Sequence, residues 1–198
     1  MRRKTKKKPK APPRAAARAE TVRLPMDTAQ GKPVRVSQAE YVEVVLPSQT
    51  NPLGNVLGGH VMHLMDITAA IAAHRHSNSY AATVAVDYLD FRHSIKVGQL
   101  IVLKSSVNRV FHTSMEVGVK VFSEDILTGE RRHTSSAYVT FVALDEDGRP
   151  KPAPPVICET EDERRRYEEA GIRRQWRLSQ RYKKAASLPD SGAEPREA

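Results

Sequence analysis

Apolar and polar positions alternate from Val34 through Val36, Tyr41, Val42, Val44 and Val45 to Leu46, which predicts a first strand. A polar stretch punctuated by glycine and proline follows over 47–59 and reads as a loop. From His60 to Ala73 the apolar residues Val61, Met62, Leu64, Met65, Ile67, Ala69 to Ala73 leave almost no polar side. That pattern predicts a helix over about 59–76, of the kind buried in the middle of a domain. Asn78 and Ser79 end it. Four strands are predicted next, over 81–91, 100–111, 114–123 and 132–144, each rich in β-branched or aromatic residues. Pro150, Pro152, Pro154 and Pro155 form a stiff connector, and a charged helix is expected from Glu159 to about Lys184. It is acidic at its start and basic later, as the helix dipole favours. One strand, one apolar helix and four strands in succession predict an α+β fold, an antiparallel sheet wrapped round a single helix. A lone unit of this kind leaves a sheet edge uncovered, so pairing of two units is expected.

Charge changes this picture at one end only. Ten basic residues and a single acid, Glu20, precede Pro25, and they account for the whole formal net charge of +9. With Pro9, Pro12 and Pro13 among Lys and Ala, residues 1–33 are expected to be a disordered basic tail. A solvated tail is the favoured reading, ahead of an arm for nucleic acid or an anionic membrane. The expected organisation is this tail, a domain over 34–150, and a connector with its helix over 151–198. The tail lacks the apolar segment of a secretory signal, and no run is long enough to span a bilayer. Cys158 is the single cysteine, which excludes an intrachain disulfide and a Cys-rich zinc site. The cytoplasm is the expected compartment.

The candidate chemistry sits where the loop enters the apolar helix, from Asn51 to Asp66. Gly54, Gly58 and Gly59 suggest tight or positive-φ turns and close approach of a ligand. The helix start offers free N–H groups and positive dipole charge to a carbonyl oxygen gaining negative charge. Asp66 lies two turns further on, where a buried ionised group is costly unless hydrogen-bonded or used. A loop amide, backbone amides at a helix start and a carboxylate on the same helix suit acyl chemistry.

The block from Leu46 to Asp66 resembles the hot-dog-fold acyl-CoA thioesterases of the brain-type and bacterial short-chain-type cluster. So do the run from Ser106 to Asp125 and the segment from Pro154 to Tyr167. The resemblance covers about 34–177. It implies the hot-dog fold and hydrolysis of acyl-CoA to a free fatty acid and coenzyme A. It gives Asp66 the role of general base or nucleophile and Asn51 that of its catalytic partner. In two-domain relatives these two residues come from different hot-dog units. The resemblance therefore implies a homodimer at least, and a hexamer built as a trimer of dimers, with Asn51 of one subunit meeting Asp66 of the other. Gly58, Gly59 and His60 are the candidates for the oxyanion and the substrate. Arg109, Thr113 and Ser114 are candidates for binding coenzyme A, with Arg75 and Lys104 as further ones. Coenzyme A enters as part of the substrate, so no separate cofactor is expected.

Other readings of the same residues are weaker. Asn51 alone reads as a turn opener before Pro52, and Asp66 could simply pair with His63 one turn earlier. His60, His63, His74 and His76 lack a convergent third ligand type for zinc, so no metal is expected. Ser114, His112 and Asp66 do not sit in a nucleophile elbow. The alternative function is a non-catalytic acyl-CoA-binding module whose tail binds nucleic acid. Without a helix-turn-helix a nucleic-acid partner is not expected. The charged C-terminal helix reads as a solvated appendage.

Overall fold

The computed structural model describes residues 30–187, with side chains to residue 180, so most of the expected basic tail lies outside it. Seven strands and two helices follow in order: β1 (Lys32–Pro33), β2 (Ala39–Val44), α1 (Gly58–Ser77), β3 (Tyr80–Phe91), β4 (Leu100–Val110), β5 (Ser114–Glu124), β6 (Arg131–Leu144), β7 (Val156–Ile157) and α2 (Glu161–Ser187). Five strands form one sheet in the order β2-β4-β5-β6-β3, with every pair antiparallel. The α+β, hot-dog expectation is met.

Alternation decides which sheet face holds α1. Ile101, Leu103 and Val107 on β4, Met115, Val117, Val119 and Val121 on β5, and Ala137, Val139, Phe141 and Ala143 on β6 enter one core with Val61, Leu64, Met65, Ala69, Ala72 and Ala73 of α1. The three- and four-residue spacing of the helix set marks a single stripe. The Ser105 hydroxyl donates to the Thr68 carbonyl at 2.8 Å and ties helix to sheet. Asn78 ends α1 in the left-handed region at φ 48°, its N–H bonded to the His74 carbonyl.

Several local expectations change. The first strand is shorter than expected, because Val34–Val36 is a 3₁₀ turn and Leu46 precedes Pro47 outside the strand. Lys32 and Pro33, placed in the tail by sequence, pair in parallel with Val156 and Ile157. The helix apolar on nearly every side is buried on one side only in the protomer, where Met62, His63 and Asp66 are exposed. Edge strand β3 also presents Val84, Val86 and Tyr88 to solvent.

The C-terminal helix is not a solvated appendage. Thr160 and Glu163 cap it reciprocally: the Thr160 hydroxyl accepts from the Glu163 N–H at 3.2 Å, and the Glu163 carboxylate accepts from the Thr160 N–H at 3.1 Å. Further along, Arg173 donates twice to the fully buried Glu116, at 2.8 and 3.0 Å. Arg177 binds Asp87 and the Thr140 hydroxyl. These acids point away from α1, so α2 covers part of the opposite face of the sheet.

Candidate active site

Asn51 is fixed by its own loop. Its carboxamide oxygen accepts from the Leu53 N–H at 3.0 Å and the Asn55 N–H at 3.1 Å, while its backbone N–H reaches the Asn55 carbonyl. Gly54 closes this turn at φ +70°, a conformation that favours glycine. The carboxamide nitrogen of Asn51 has no partner among the described residues and remains available as a donor. Asn55 serves the loop through its backbone.

Gly58 and Gly59 are the first two residues of α1 and have ordinary helical backbone rather than positive φ. Their N–H groups have no partner among the described residues. The His60 N–H, in contrast, bonds the Leu57 carbonyl at 3.0 Å. The free amide pair at the helix start is thus Gly58 and Gly59, and His60 contributes its side chain instead. Its Nε2 lies 2.7 Å from the Glu43 carboxylate, which also accepts from Tyr41 and Gln49. Burial pushes the Glu43 carboxyl up, but hydrogen bonds from Tyr41, His60 and Gln49 outweigh it and hold it below the usual range. This hub pins β2, the loop carrying Asn51 and the helix start together. A cavity of about 260 Å³ opens beside that start, lined by Gly58, Val56, Val61, Phe91 and Ile95 among others.

Asp66 is exposed in the protomer, not buried as the helix pattern suggested. The Thr83 hydroxyl of β3 donates to its Oδ1 at 2.7 Å. Thr83 was not singled out in the sequence, where a threonine in a strand looks like any β-branched residue. Seven residues of helix separate Gly59 from Asp66, about 10 Å along the axis. One protomer therefore does not bring its own amide pair and carboxylate to a single carbonyl group.

The other candidates lie elsewhere. Arg109 is enclosed by α2, its guanidinium 4.2 Å from the Tyr167 ring centroid and 5.3 Å from that of Phe111. A Cβ on Gly171 would come within 2.5 Å of it. Arg109 thus seats a helix in this protomer. Thr113 and Ser114 occupy the β4–β5 junction beside Val142 and Ala143, at the sheet end where α1 finishes. That is the end opposite Gly58 and Gly59. Of the four histidines weighed as ligands, His60 bonds Glu43, His74 faces the Ser79 carbonyl, and His76 is buried between Ser37 and the Pro154 carbonyl. His63 is exposed on α1. No helix among the described residues is long and apolar enough to cross a membrane.

Comparison with known proteins gives this geometry a family. Residues 53–130 match the thioesterase superfamily. The chain is 42% identical over 135 residues to protein VdlD of Helicobacter pylori, covering 68% of this chain and 76% of that one. It is 38% identical over 161 residues to mouse acyl-coenzyme A thioesterase 11, covering 80% of this chain but spanning 27% of that longer protein. A hexameric acyl-CoA thioesterase crystal structure superposes with a TM-score of 0.73 at 42% identity, over 80% of this chain and 98% of that one. The acyl-CoA hydrolase of Staphylococcus aureus, solved with butyryl coenzyme A and coenzyme A, superposes with a TM-score of 0.74 at 31% identity, over 79% and 95% of the two chains. That hydrolase has also been characterised with an asparagine, an aspartate and a threonine each changed to alanine. Those positions are spaced by fifteen and then seventeen residues, the intervals separating Asn51, Asp66 and Thr83 here. The chain belongs to the thioesterase superfamily, among its hot-dog-fold acyl-CoA thioesterases.

Proposed function

We propose that the chain hydrolyses acyl-CoA to a carboxylic acid and free coenzyme A at a site completed by a second copy of itself. The observation carrying this reading is the separation of the two half-sites on α1. A carboxylate held by Thr83 faces outward, while the free amides of Gly58 and Gly59 stand at the helix start about 10 Å away, which the loop carrying the donor nitrogen of Asn51 leads into. A two-fold partner brings one copy's helix start to the other copy's Asp66, giving two equivalent sites. The exposed apolar residues Val84, Val86 and Tyr88 on edge strand β3 support pairing through that edge. The hexameric relative supports a trimer of such dimers.

In the reaction, the thioester carbonyl oxygen receives hydrogen bonds from the Gly58 and Gly59 amides, aided by the positive end of α1. A single such donor contributes about 3–4 kcal/mol in other acyl-transfer sites. Asp66 takes a proton from water as the water oxygen attacks the carbonyl carbon, with Asn51 of the other copy orienting the water or holding the thioester. Direct attack by the carboxylate, giving an anhydride that water then opens, uses the same atoms. Collapse of the tetrahedral intermediate breaks the C–S bond and releases the thiolate, a leaving group good enough to depart without a metal. A cytoplasmic setting is part of this proposal, supported by the similarity to a cytosolic acyl coenzyme A thioester hydrolase of mouse.

The test is thiol release in EDTA across short, medium and long acyl-CoA esters, followed by subunit mixing. Asp66→Ala and Asn51→Ala are each expected to be inactive. An equal mixture after subunit exchange is expected to recover about a quarter of wild-type activity, since half the dimers are hybrids with one intact site each. No turnover with any chain length overturns the enzymatic reading. Verified exchange without recovery overturns the shared site.

A further inference from the structure

The start of α1 lacks a lock that helices usually carry. The residue before Gly58 is Leu57, which makes no side-chain cap, and no acid stands in the first turn. A capping side chain would take up the N–H of the second or third helical residue, here Gly59 or His60. Leu57 leaves the Gly59 amide free, but the helix then opens on two glycines, the residue type with the most backbone freedom to lose. Order in that turn must come from outside the helix.

Glu43 supplies it from edge strand β2. One oxygen of its carboxylate, Oε1, accepts from the Gln49 carboxamide at 3.0 Å and lies 2.7 Å from His60 Nε2. The other, Oε2, accepts from the Tyr41 hydroxyl at 2.7 Å. Both partners of Oε1 lead to the glycine pair. His60 follows Gly59 directly. Gln49 acts from the other side, since its backbone carbonyl accepts from the Leu57 N–H at 2.9 Å and Leu57 precedes Gly58. Gln49 is itself immobilised, its side-chain oxygen accepting from the Leu46 N–H at 2.7 Å. Gly58 and Gly59 are thus bracketed by Leu57 and His60, and both brackets end on one carboxylate oxygen. None of these bonds occupies the amides of the two glycines.

We propose that Glu43 is a positioning residue for the hydrolysis proposed above, a role that rests on that reading. Acting through His60 and Gln49, it aims the Gly58 and Gly59 amides at the place where the thioester oxygen gains charge. It touches neither substrate nor the reacting atoms. Because the aim of these donors matters most when the oxygen is negative, its effect falls on kcat rather than KM. The work is done by the acceptor geometry of Oε1 and not by the charge of the carboxylate.

The experiment is acyl-CoA kinetics on the full-length wild type, Glu43→Ala and Glu43→Gln, with hydrogen exchange over residues 57–61 read by mass spectrometry. Losing one oxyanion donor outright costs about a hundredfold or more in kcat. Misaiming the pair is expected to cost less, about tenfold for Glu43→Ala at nearly constant KM. Exchange at the Leu57 and His60 N–H groups is expected to speed up in that variant while the β4–β6 core stays protected. Glu43→Gln keeps an acceptor for His60 and Gln49, and the Tyr41 hydroxyl can rotate to accept from the new amide. It is therefore expected to recover most of kcat and the slow exchange. If Glu43→Ala does not fold, Gln49→Ala and His60→Ala cut one arm each and are expected to lower kcat severalfold at constant KM. Unchanged kcat in all the alanine variants that fold overturns the positioning role. So does a Gln variant as slow as Ala, which would mean that Glu43 acts through its charge, and so does a raised KM at constant kcat, which would mean that it meets the substrate. A wild type that releases no thiol sinks the hydrolysis reading and this role with it, whereas an active wild type with an equally active Glu43→Ala sinks this role alone.

Discussion

Arg173→Met tests whether α2 is integral to the domain. The guanidinium makes two hydrogen bonds to Glu116, whose side chain is 1% exposed, and lies 3.6 Å from the Tyr138 ring centroid. Removing one member of a buried ion pair strands the other charge, at a cost of about 3–5 kcal/mol. Loss of the cation–π contact adds about 0.5–1 kcal/mol. Methionine keeps much of the aliphatic stem, so the packing loss is small. Glu116 still accepts from the Asn108 carboxamide at 2.9 Å, which favours the low end of the range. The expected loss is therefore about 3–4 kcal/mol in urea unfolding at fixed protein concentration, since the proposed assembly would make stability concentration-dependent. Adding Glu116→Gln removes the stranded charge but keeps an acceptor for Asn108. The double variant is expected to regain about 2 kcal/mol, a coupling that independent sites do not show. A loss below about 1 kcal/mol for Arg173→Met, or no recovery in the double variant, would mean that Glu116 reaches water and that α2 is not docked on it.

Two further perturbations follow from named contacts. Thr83→Val removes the hydroxyl that donates to Asp66 with little change in shape, and kcat for acyl-CoA hydrolysis is expected to fall about tenfold with KM nearly constant. Thr83→Ser should restore most of the rate, and a Val variant of full activity would remove Thr83 from the site. Burial lowers the His76 pKa to about 4, with nearby Lys32 acting in the same direction against the Pro154 carbonyl. Between pH 4 and the ordinary value of 6.5 the unfolded chain binds the extra proton, so this contribution is complete above 6.5 and declines as pH falls towards 4. The total is about 3 kcal/mol by linkage, and His76→Gln should flatten that part of the stability–pH curve. An unchanged slope would show that His76 is not the group responsible.

The strands were legible because their alternation is local. β5, the first half of β4 and the second half of β6 carry core-facing apolar residues at alternate positions, and the observed limits of all three differ from expectation by a residue or so. Errors arose where a pattern was ambiguous. Val34 and Val36 continue the alternation of β2 but belong to a 3₁₀ turn, in which Val34 is buried. The docking of α2 was hidden for a different reason. Glu116 and Asp87 stand at positions that alternation assigns to solvent, and their arginine partners lie 57 and 90 residues away. No local window joins such groups, so charged residues on both sides read as exposed.

The site divides along the same line. Asn51 and Asp66 were found through motif resemblance, with their loop and helix, whereas Thr83 reaches Asp66 across a helix–strand gap and has no motif of its own. The exposure of Asp66 has a further meaning. A helix with apolar residues on nearly every side predicts burial all round, but hydropathy does not say whether the cover comes from the same chain or another. Here one side of α1 meets the sheet, while Met62, His63 and Asp66 face outward and Val84, Val86 and Tyr88 stand exposed on the edge strand. Under the proposed pairing those residues are covered by the second copy. The apolar pattern then describes the assembled dimer, and the one carboxylate within it marks where substrate, rather than more protein, completes the interface.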